Sequence, residues 1–479
     1  MEKENIGVKN RLLPMLITVK GNIVGKEPIM LTIPSAAEQL FLQFSITFTQ
    51  PTFQRILPLA IGAILTMGQR TVTGILWTMR GLIKGHPSTY HRVFSRAVWS
   101  LWPLGRILAT AILGFIPHDE PVLVPMDDTT AQHRGKHVYG KGCYHDAVRS
   151  AHKHVVFRWG HRWVVLAISV KFPFTSKRWA LPVLVALYRP RELNQAEGRR
   201  HKTASQIARE LMAVLIHWFP QRKFVFLGDG GYASHELAKF CYGHRQHTTL
   251  VSRFRPDANL YTPPPEQKGR AGRPRIKGRK LPKPKEVVAH SKRTTATVDW
   301  YGGSQRLVEL VSGTGLWYHA AGGQGLVPVR WVFVHDIQGT HRDEYIYTTE
   351  TSLSPEQMVS WFTARWPIET TFQEVRAHLG FETPRQYVAK SVLRTAPCLL
   401  GLFSVVCLIF AEHTRCHRIR VRQTKWYVKT EPTFSDVIAT VRRLFWQEAV
   451  FEKSSFHKDF KKLSPKLKNL LLDYLSQAA

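Results

Sequence analysis

Two short apolar runs each close on aspartate: "PVLVPMDDTT" at 121–130 and "KFVFLGDGG" at 223–231. Runs this short and this rich in Val, Leu and Phe, bounded by turn residues, predict buried strands rather than helices. The segments "RWVVLAISV" (162–170), "ALPVLVALYR" (180–189) and "TTLVSRF" (248–254) read the same way. An amphipathic pattern, "ASQIARELMAVLIHWF" (204–219), predicts a helix between the third run and the fourth. Three strands, a helix, a strand, a helix and a strand predict a mixed α/β sheet with helical crossovers.

The ends of these strands carry the chemistry. Asp127 and Asp128 end the first run, and Asp229 ends another beside Gly230 and Gly231, which leave room for close approach. Taken singly, each is the kind of Asp that caps a turn or a helix. Taken together they form a set of oxygen donors suited to a hard metal ion. A third acidic position lies in "SWFTARWPIETTFQEVRAHLG" (360–380). At helical spacing Phe362, Arg365, Glu369 and Arg376 form one stripe, with Trp361, Ala364, Ile368, Phe372, Val375 and Leu379 as an apolar stripe beside it. This sets Glu369 at the rim of a buried face, between two cations. Pro367 is expected to disturb the helix between Arg365 and Glu369.

Charge narrows the class of partner. The 479 residues include 67 Lys and Arg against 34 Asp and Glu, a formal net charge of +33, spread along most of the chain. A polyanion is the expected partner. The five cysteines form no CxxC pair, which argues against a zinc ribbon or a disulfide framework and fits a reducing compartment. No signal peptide is apparent, and the apolar runs near 56 and 396 fall short of the ~20 residues a membrane span needs. A soluble cytoplasmic protein is expected.

Residues 35–116 read as short helices, either a DNA-binding bundle or simple packing. Residues 256–285 are rich in Pro, Gly and cations and predict an exposed arm. Within it "GRAGRPRIKGRK" fits either an AT-hook-like minor-groove strand or an unspecific phosphate strap. Both make Arg270, Arg273, Arg275, Lys277, Arg279 and Lys280 DNA contacts. After the arm, "EVVAHS", "TATVDWYG", "QRLVELVS", "VRWVFVHDI" and "DEYIYTT" read as antiparallel strands, and a helix is expected to begin at Ser354. His133, His137, Cys143, His145, His152 and His154 cluster in sequence without a zinc-ligand spacing, so a solvated or DNA-facing loop is the expectation there.

The order DDTT, GDGG, RWPIETTFQEVR resembles the DDE transposases of bacterial insertion sequences. It is most similar to the group with a tyrosine–arginine–glutamate–lysine signature, with Phe362 for Tyr and Arg376 for Lys. The resemblance implies a ribonuclease H-like mixed α/β core interrupted by a β-rich insertion domain, with an α-helical N-terminal domain and a helical C-terminal region. The corresponding division is 1–34 (tail), 35–118 (helical, DNA-binding), 119–255 (core, first part), 256–353 (arm and insertion), 354–415 (core, second part) and 416–479 (basic, helical). It implies a catalytic, metal-binding triad of Asp128, Asp229 and Glu369, with Asp127 as the alternative first Asp. Two Mg²⁺ ions, or Mn²⁺ in their place, would act at a phosphodiester. Arg365, Arg376 and Phe362 would contact DNA. The implied activity is cut-and-paste transposition: binding of terminal inverted repeats, cleavage, and transfer of 3′-OH ends to target DNA. A homodimer would bridge two ends, in the nucleoid and away from membranes. The alternative is a transposase-derived DNA-binding protein or repressor that no longer cuts.

Overall fold

Several helix starts are set by side chains that satisfy orphan amides. In the computed structural model, described for residues 33–145, 150, 154–265, 275–319, 325–423, 425–452 and 457–477, five helices come first. They are α1 (Ser35–Ser45), α2 (Gln50–Leu65), α3 (Val72–Thr78), α4 (Pro87–Ser95) and α5 (Leu101–Leu113). Thr71 accepts from the Gly74 amide to open α3, and Ser100 from the Trp102 amide to open α5. Proline in the first turn of α2 and α4 sits where a missing N–H costs nothing.

The five runs read as strands all form. β1 (Val122–Gln132) is antiparallel to β3 (Phe157–Lys171), and β3 to β4 (Arg178–Tyr188); β2 (Gly142–His145) adds a short hairpin to the start of β3. Helices α6 (Arg191–Ala196) and α7 (Ala204–Trp218) follow, and Thr203 and Gln206 close a capping box at the start of α7. The chain then enters β5 (Phe224–Gly228), α8 (His235–Gly243) and β6 (Thr248–Arg253), and β1, β5 and β6 run parallel. The core strands therefore stand in the order β4-β3-β1-β5-β6. A register shift between Leu166 and Ala167 leaves Val183 as an extra residue on β4, next to Pro182, which has no N–H to give the ladder. The Val183 carbonyl meets α5 at Gly105, where an added Cβ would stand 2.7 Å from that oxygen.

The segment expected as a β-rich insertion extends the same sheet. Strands β7 (Leu260–Tyr261), β8 (Thr294–Asp299), β9 (Gln305–His319), β10 (Gly325–Asp336) and β11 (Glu344–Thr348) are antiparallel, and β11 pairs with β6 to complete eleven strands. "EVVAHS" is not a strand. It lies in α9 (Pro284–His290), where Pro284 opens the helix and Glu286 accepts from the Lys283 amide at 2.9 Å. Start signals over so short a stretch outweigh the β propensity of two valines.

The acidic helix also departs from expectation. Ser354 caps α10 (Pro355–Thr363) as expected, but the helix stops there, and Pro367 opens a separate helix, α11 (Pro367–Leu379). Proline does not kink one helix; it starts the second. Gly380 ends α11 in the left-handed region at φ 62°, and an added Cβ there would meet Thr383 and Arg70. Next comes α12 (Ala389–His413), then α13 (Phe434–Leu444), α14 (His457–Lys462) and α15 (Pro465–Leu475). With 25 residues, α12 is long and apolar enough to cross a membrane, longer than its apolar run suggests, yet 83% of its most apolar window is buried inside the protein. It packs against β4, α5 and α13 as a core helix.

Three buried guanidiniums tie these layers together by donating to backbone carbonyls. Arg394 of α12 donates to the carbonyls of Val93, Phe94, Ala97 and Trp99 around the end of α4. Arg70 and Arg442 both donate to the His378 carbonyl in the last turn of α11, and Arg442 also reaches Ile64 O at 2.7 Å and Gln477 O at 2.6 Å. Burial pulls the Arg442 guanidinium down to about 9, with Arg70 adding to the effect. Replacing Arg442 by Ala strips three carbonyls of a donor and opens a cavity. We expect a loss of roughly 3–5 kcal/mol, read as a lower urea midpoint. An unchanged midpoint in Arg442→Ala would show that these contacts hold nothing together.

Candidate active site

Strand alternation separates the two neighbouring aspartates. Successive side chains of β1 point to opposite faces, so Asp127 and Asp128 cannot both serve one site. The parallel register pairs Pro125 with Leu227. Continued two residues, it puts Asp127 beside Asp229, on one face. Asp128 faces the other way, where Arg162 of β3 binds it through two bonds of 2.6 and 2.8 Å.

The turn between α10 and α11 completes the arrangement. Arg365 is buried there and donates to Asp127 Oδ2 at 2.9 Å and to Glu369 Oε1 at 2.7 Å. Glu369 occupies the first turn of α11, where the helix dipole favours a carboxylate. Asp229 directly follows β5 and accepts from the Gly231 amide at 2.8 Å, so this glycine-rich turn orients the carboxylate. Burial is the main reason the Asp127 carboxyl rises to about 7. Arg365 opposes the rise, and Asp229 and Asp128 add to it. Behind the site, the Tyr232 hydroxyl is buried and pushed well above its usual range, first by desolvation and then by Asp128.

Other residues singled out in the sequence fall elsewhere. Phe362 is 3% exposed and packs with Leu123, Val225, Leu227 and Met358, so it is a core residue rather than a DNA contact. Having no hydroxyl, it has nothing polar to reach with. Arg376 ties α11 to β1, donating to Thr129 Oγ1 and to Thr130 O at 3.0 Å. Arg270 and Arg273 lie outside the described residues. Arg275, Arg279 and Lys280 are exposed, while Lys277 lies 4.4 Å from the rings of both Tyr261 and Tyr318. Of the histidine-rich segment, His152 is outside the described residues, and His133 packs edge-on against His161 at 4.6 Å.

Among the described residues, no group of three or more His, Cys, Asp or Glu is gathered closely enough to hold a metal ion. Asp127 and Glu369 are instead joined through Arg365. The donor set still suits a hard divalent cation in its chemistry: all donors are carboxylate oxygens, and Asp127 is a buried carboxylate that its arginine only partly compensates. Sequence reasoning missed the partnership of Arg365 with Asp127 and that of Arg162 with Asp128. The signal available for the second was parity along β1.

The sequence profile of the DDE superfamily endonucleases matches residues 43–307, more than half of the chain. The match takes in Asp127, Asp128 and Asp229 and ends before Glu369. No curated protein matches the chain. Among solved structures, the cryo-EM structure of a piggyBac transposase synaptic complex with hairpin DNA aligns with 94% of this chain and 82% of that one, at a TM-score of 0.39 and 11% identity.

A raised carboxyl pKa has a stability signature. Asp127 favours its protonated form in the folded protein, so its contribution is fully present below the unfolded value near ~3.9 and is lost as pH rises through about 7. In metal-free buffer, the urea midpoint of Asp127→Asn should gain on that of the wild type steadily from about pH 4 to 7. A difference that stays flat across this window would mean that Asp127 is not held above the ordinary carboxylate range.

Proposed function

The chain belongs to the DDE superfamily endonucleases, and from that premise we propose that it is a cut-and-paste DNA transposase. In this reading it binds terminal inverted repeats, cleaves at their ends and joins 3′-OH ends to target DNA. One observation carries it: Arg365 holds Asp127 and Glu369 at 2.9 and 2.7 Å, with Asp229 next along the sheet. Three carboxylates from separate elements around one cation carry more negative charge than that cation neutralises, as a site for hard divalent ions requires.

We assign the triad to Asp127, Asp229 and Glu369. Shared sheet face supports Asp127 over Asp128, and the Arg162 pair gives Asp128 a structural role. These three would hold two Mg²⁺ ions, with Mn²⁺ as a substitute; when bound, the ions supply Lewis-acid activation of a water or 3′-OH and of the leaving oxygen. Arg365 neutralises two carboxylates that would otherwise repel each other and a DNA phosphate. Its planar fork can bind phosphate oxygens as readily as carboxylates, which suits it to orient the DNA backbone at the same place. Helices α1–α5 and the cationic arm are the proposed binders of the terminal repeats, by analogy with the insertion-sequence group. The ribonuclease H-like layout, a homodimer bridging two ends, and a place in the nucleoid belong to the same proposal.

The test is cleavage of a labelled fragment bearing the element's own ends, with Mg²⁺. Wild type should cut it. Glu369→Gln and Asp127→Asn should each lose at least about a hundredfold in rate while still binding the fragment, and Asp128→Asn should lose less. If the wild type binds the ends and cuts nothing, the chain is a transposase-derived DNA-binding protein. If Glu369→Gln cuts normally, the site lies elsewhere.

A further inference from the structure

We propose that the arm formed by β2 and the start of β3 is a binding groove for unpaired DNA bases. The choice of DNA as ligand rests on the endonuclease reading. Everything else comes from the arm itself. Phe157 and Trp159 are 62% and 57% exposed, an unusual placement for two large aromatic residues on one strand. Their spacing puts both on the same face of β3. They line an open groove of about 760 Å³ together with Arg134, Lys136, His137 and Lys141. Lys141 lies over the Trp159 ring at 5.3 Å and is fixed by the Gly135 carbonyl. The one carboxylate in the lining, Glu197, is already bound by Arg189 at 2.5 Å and Arg199 at 3.0 Å. The groove therefore presents aromatic rings and positive charge.

That combination suits a single nucleic-acid strand, whose bases offer π-faces and whose phosphates need cations. Duplex DNA fits less well, since its bases are already stacked on one another. An acidic peptide would use the cations and leave the rings exposed. Residues two apart on a strand stand roughly 6.6–6.8 Å apart, twice the ~3.4 Å stacking step of a nucleic-acid strand, so one base can lie between Phe157 and Trp159.

The groove also lies in register with the candidate active site. Antiparallel pairing sets Asp127 opposite Val165, Thr129 opposite Trp163 and Ala131 opposite His161. The same face continues through Trp159 to Phe157. Val165 and Trp159 are six residues apart, about 20 Å along the strand, or about six nucleotides at stacked spacing. The face between them is covered, with Trp163 and His161 each 1% exposed, so a strand separated at the cleavage point would pass around this stretch to reach the groove.

The experiment is fluorescence quenching of a single-stranded 12-mer carrying 2-aminopurine, titrated with the full chain in EDTA so that nothing is cut. Wild type and Glu369→Gln should quench alike. Phe157→Ala with Trp159→Ala should weaken binding at least tenfold, while Phe157→Tyr with Trp159→Phe should stay within threefold of wild type. Affinity for a blunt duplex of the same sequence should change less than threefold. Removing Arg134 and Lys136 together should flatten the salt dependence of single-strand binding. The proposal fails if the double alanine variant binds the 12-mer like wild type. It also fails if that variant loses self-association instead, which would make the groove a contact between copies of the chain. Because binding is read without cleavage, a chain that quenches and never cuts would overturn the active-site reading and leave the groove standing.

Discussion

The buried guanidinium of Arg365 fixes the geometry of everything near the candidate site. A charge in a low-dielectric setting stays charged only where partners are in contact, and Arg365 has two, Asp127 and Glu369. Those bonds dock the α10–α11 turn onto β1. They also set the first turn of α11, and hence Glu369, at the level where β5 ends and β1 runs on past it. Arg376 repeats the tie three turns of chain further on, at Thr129 and Thr130. Asp127 receives only part of the compensation it needs, which is why its proton is held to about pH 7.

Much of this was legible in the sequence, and what was not shares a cause. Continuous apolar runs located β1, β3, β4, β5 and β6 to within a few residues, because a strand buried on both faces leaves little choice of composition. An amphipathic pattern located α7, and start signals located α10. What local patterns do not encode is pairing between distant strands. "DEYIYTT" reads as a strand, but nothing in it says that β11 pairs with β6 and carries the later strands into one sheet. Asp127 and Asp128 look equivalent until the register with β5 is known. Pro367 reads as a kink in one helix; its place at the start of α11 goes with the docking of the preceding turn, which Arg365 supplies.

The large positive charge divides into two populations. Some of it is interior: Arg70, Arg394 and Arg442 are buried and donate to backbone carbonyls at helix ends. Arginine suits this role because one planar group carries five donors and several carbonyls can share it, which the compact ammonium of lysine cannot match. The carbonyls they bind belong to the N-terminal helices and the turns beside them, to the end of α11 and, at Gln477, to the C-terminal region, so these contacts join the helical layer to the helix that bears Glu369. Net charge alone therefore overstates the charge facing a polyanion. The exposed remainder includes Arg134 and Lys136 beside the β2–β3 hairpin and Arg275, Arg279 and Lys280 in the 256–285 segment.

The two faces of β1 then carry different duties, and register keeps them apart. On one face lie Asp127, its partner Arg365 and, further along β3, Trp159 and Phe157. On the other, Asp128 holds Arg162, which stacks 5.3 Å above Tyr188. A slip of one residue between β1 and β5 would exchange the aspartates and bring the Arg162 pair to the Asp229 side. The apolar run from Val122 to Met126 is buried on both faces, and the extra residue Val183 on β4 pins β3 at the level of Met126 and Leu166. The bulge bends β4 locally, and β3 runs past the carboxylates into the hairpin with β2 that carries Trp159 and Phe157.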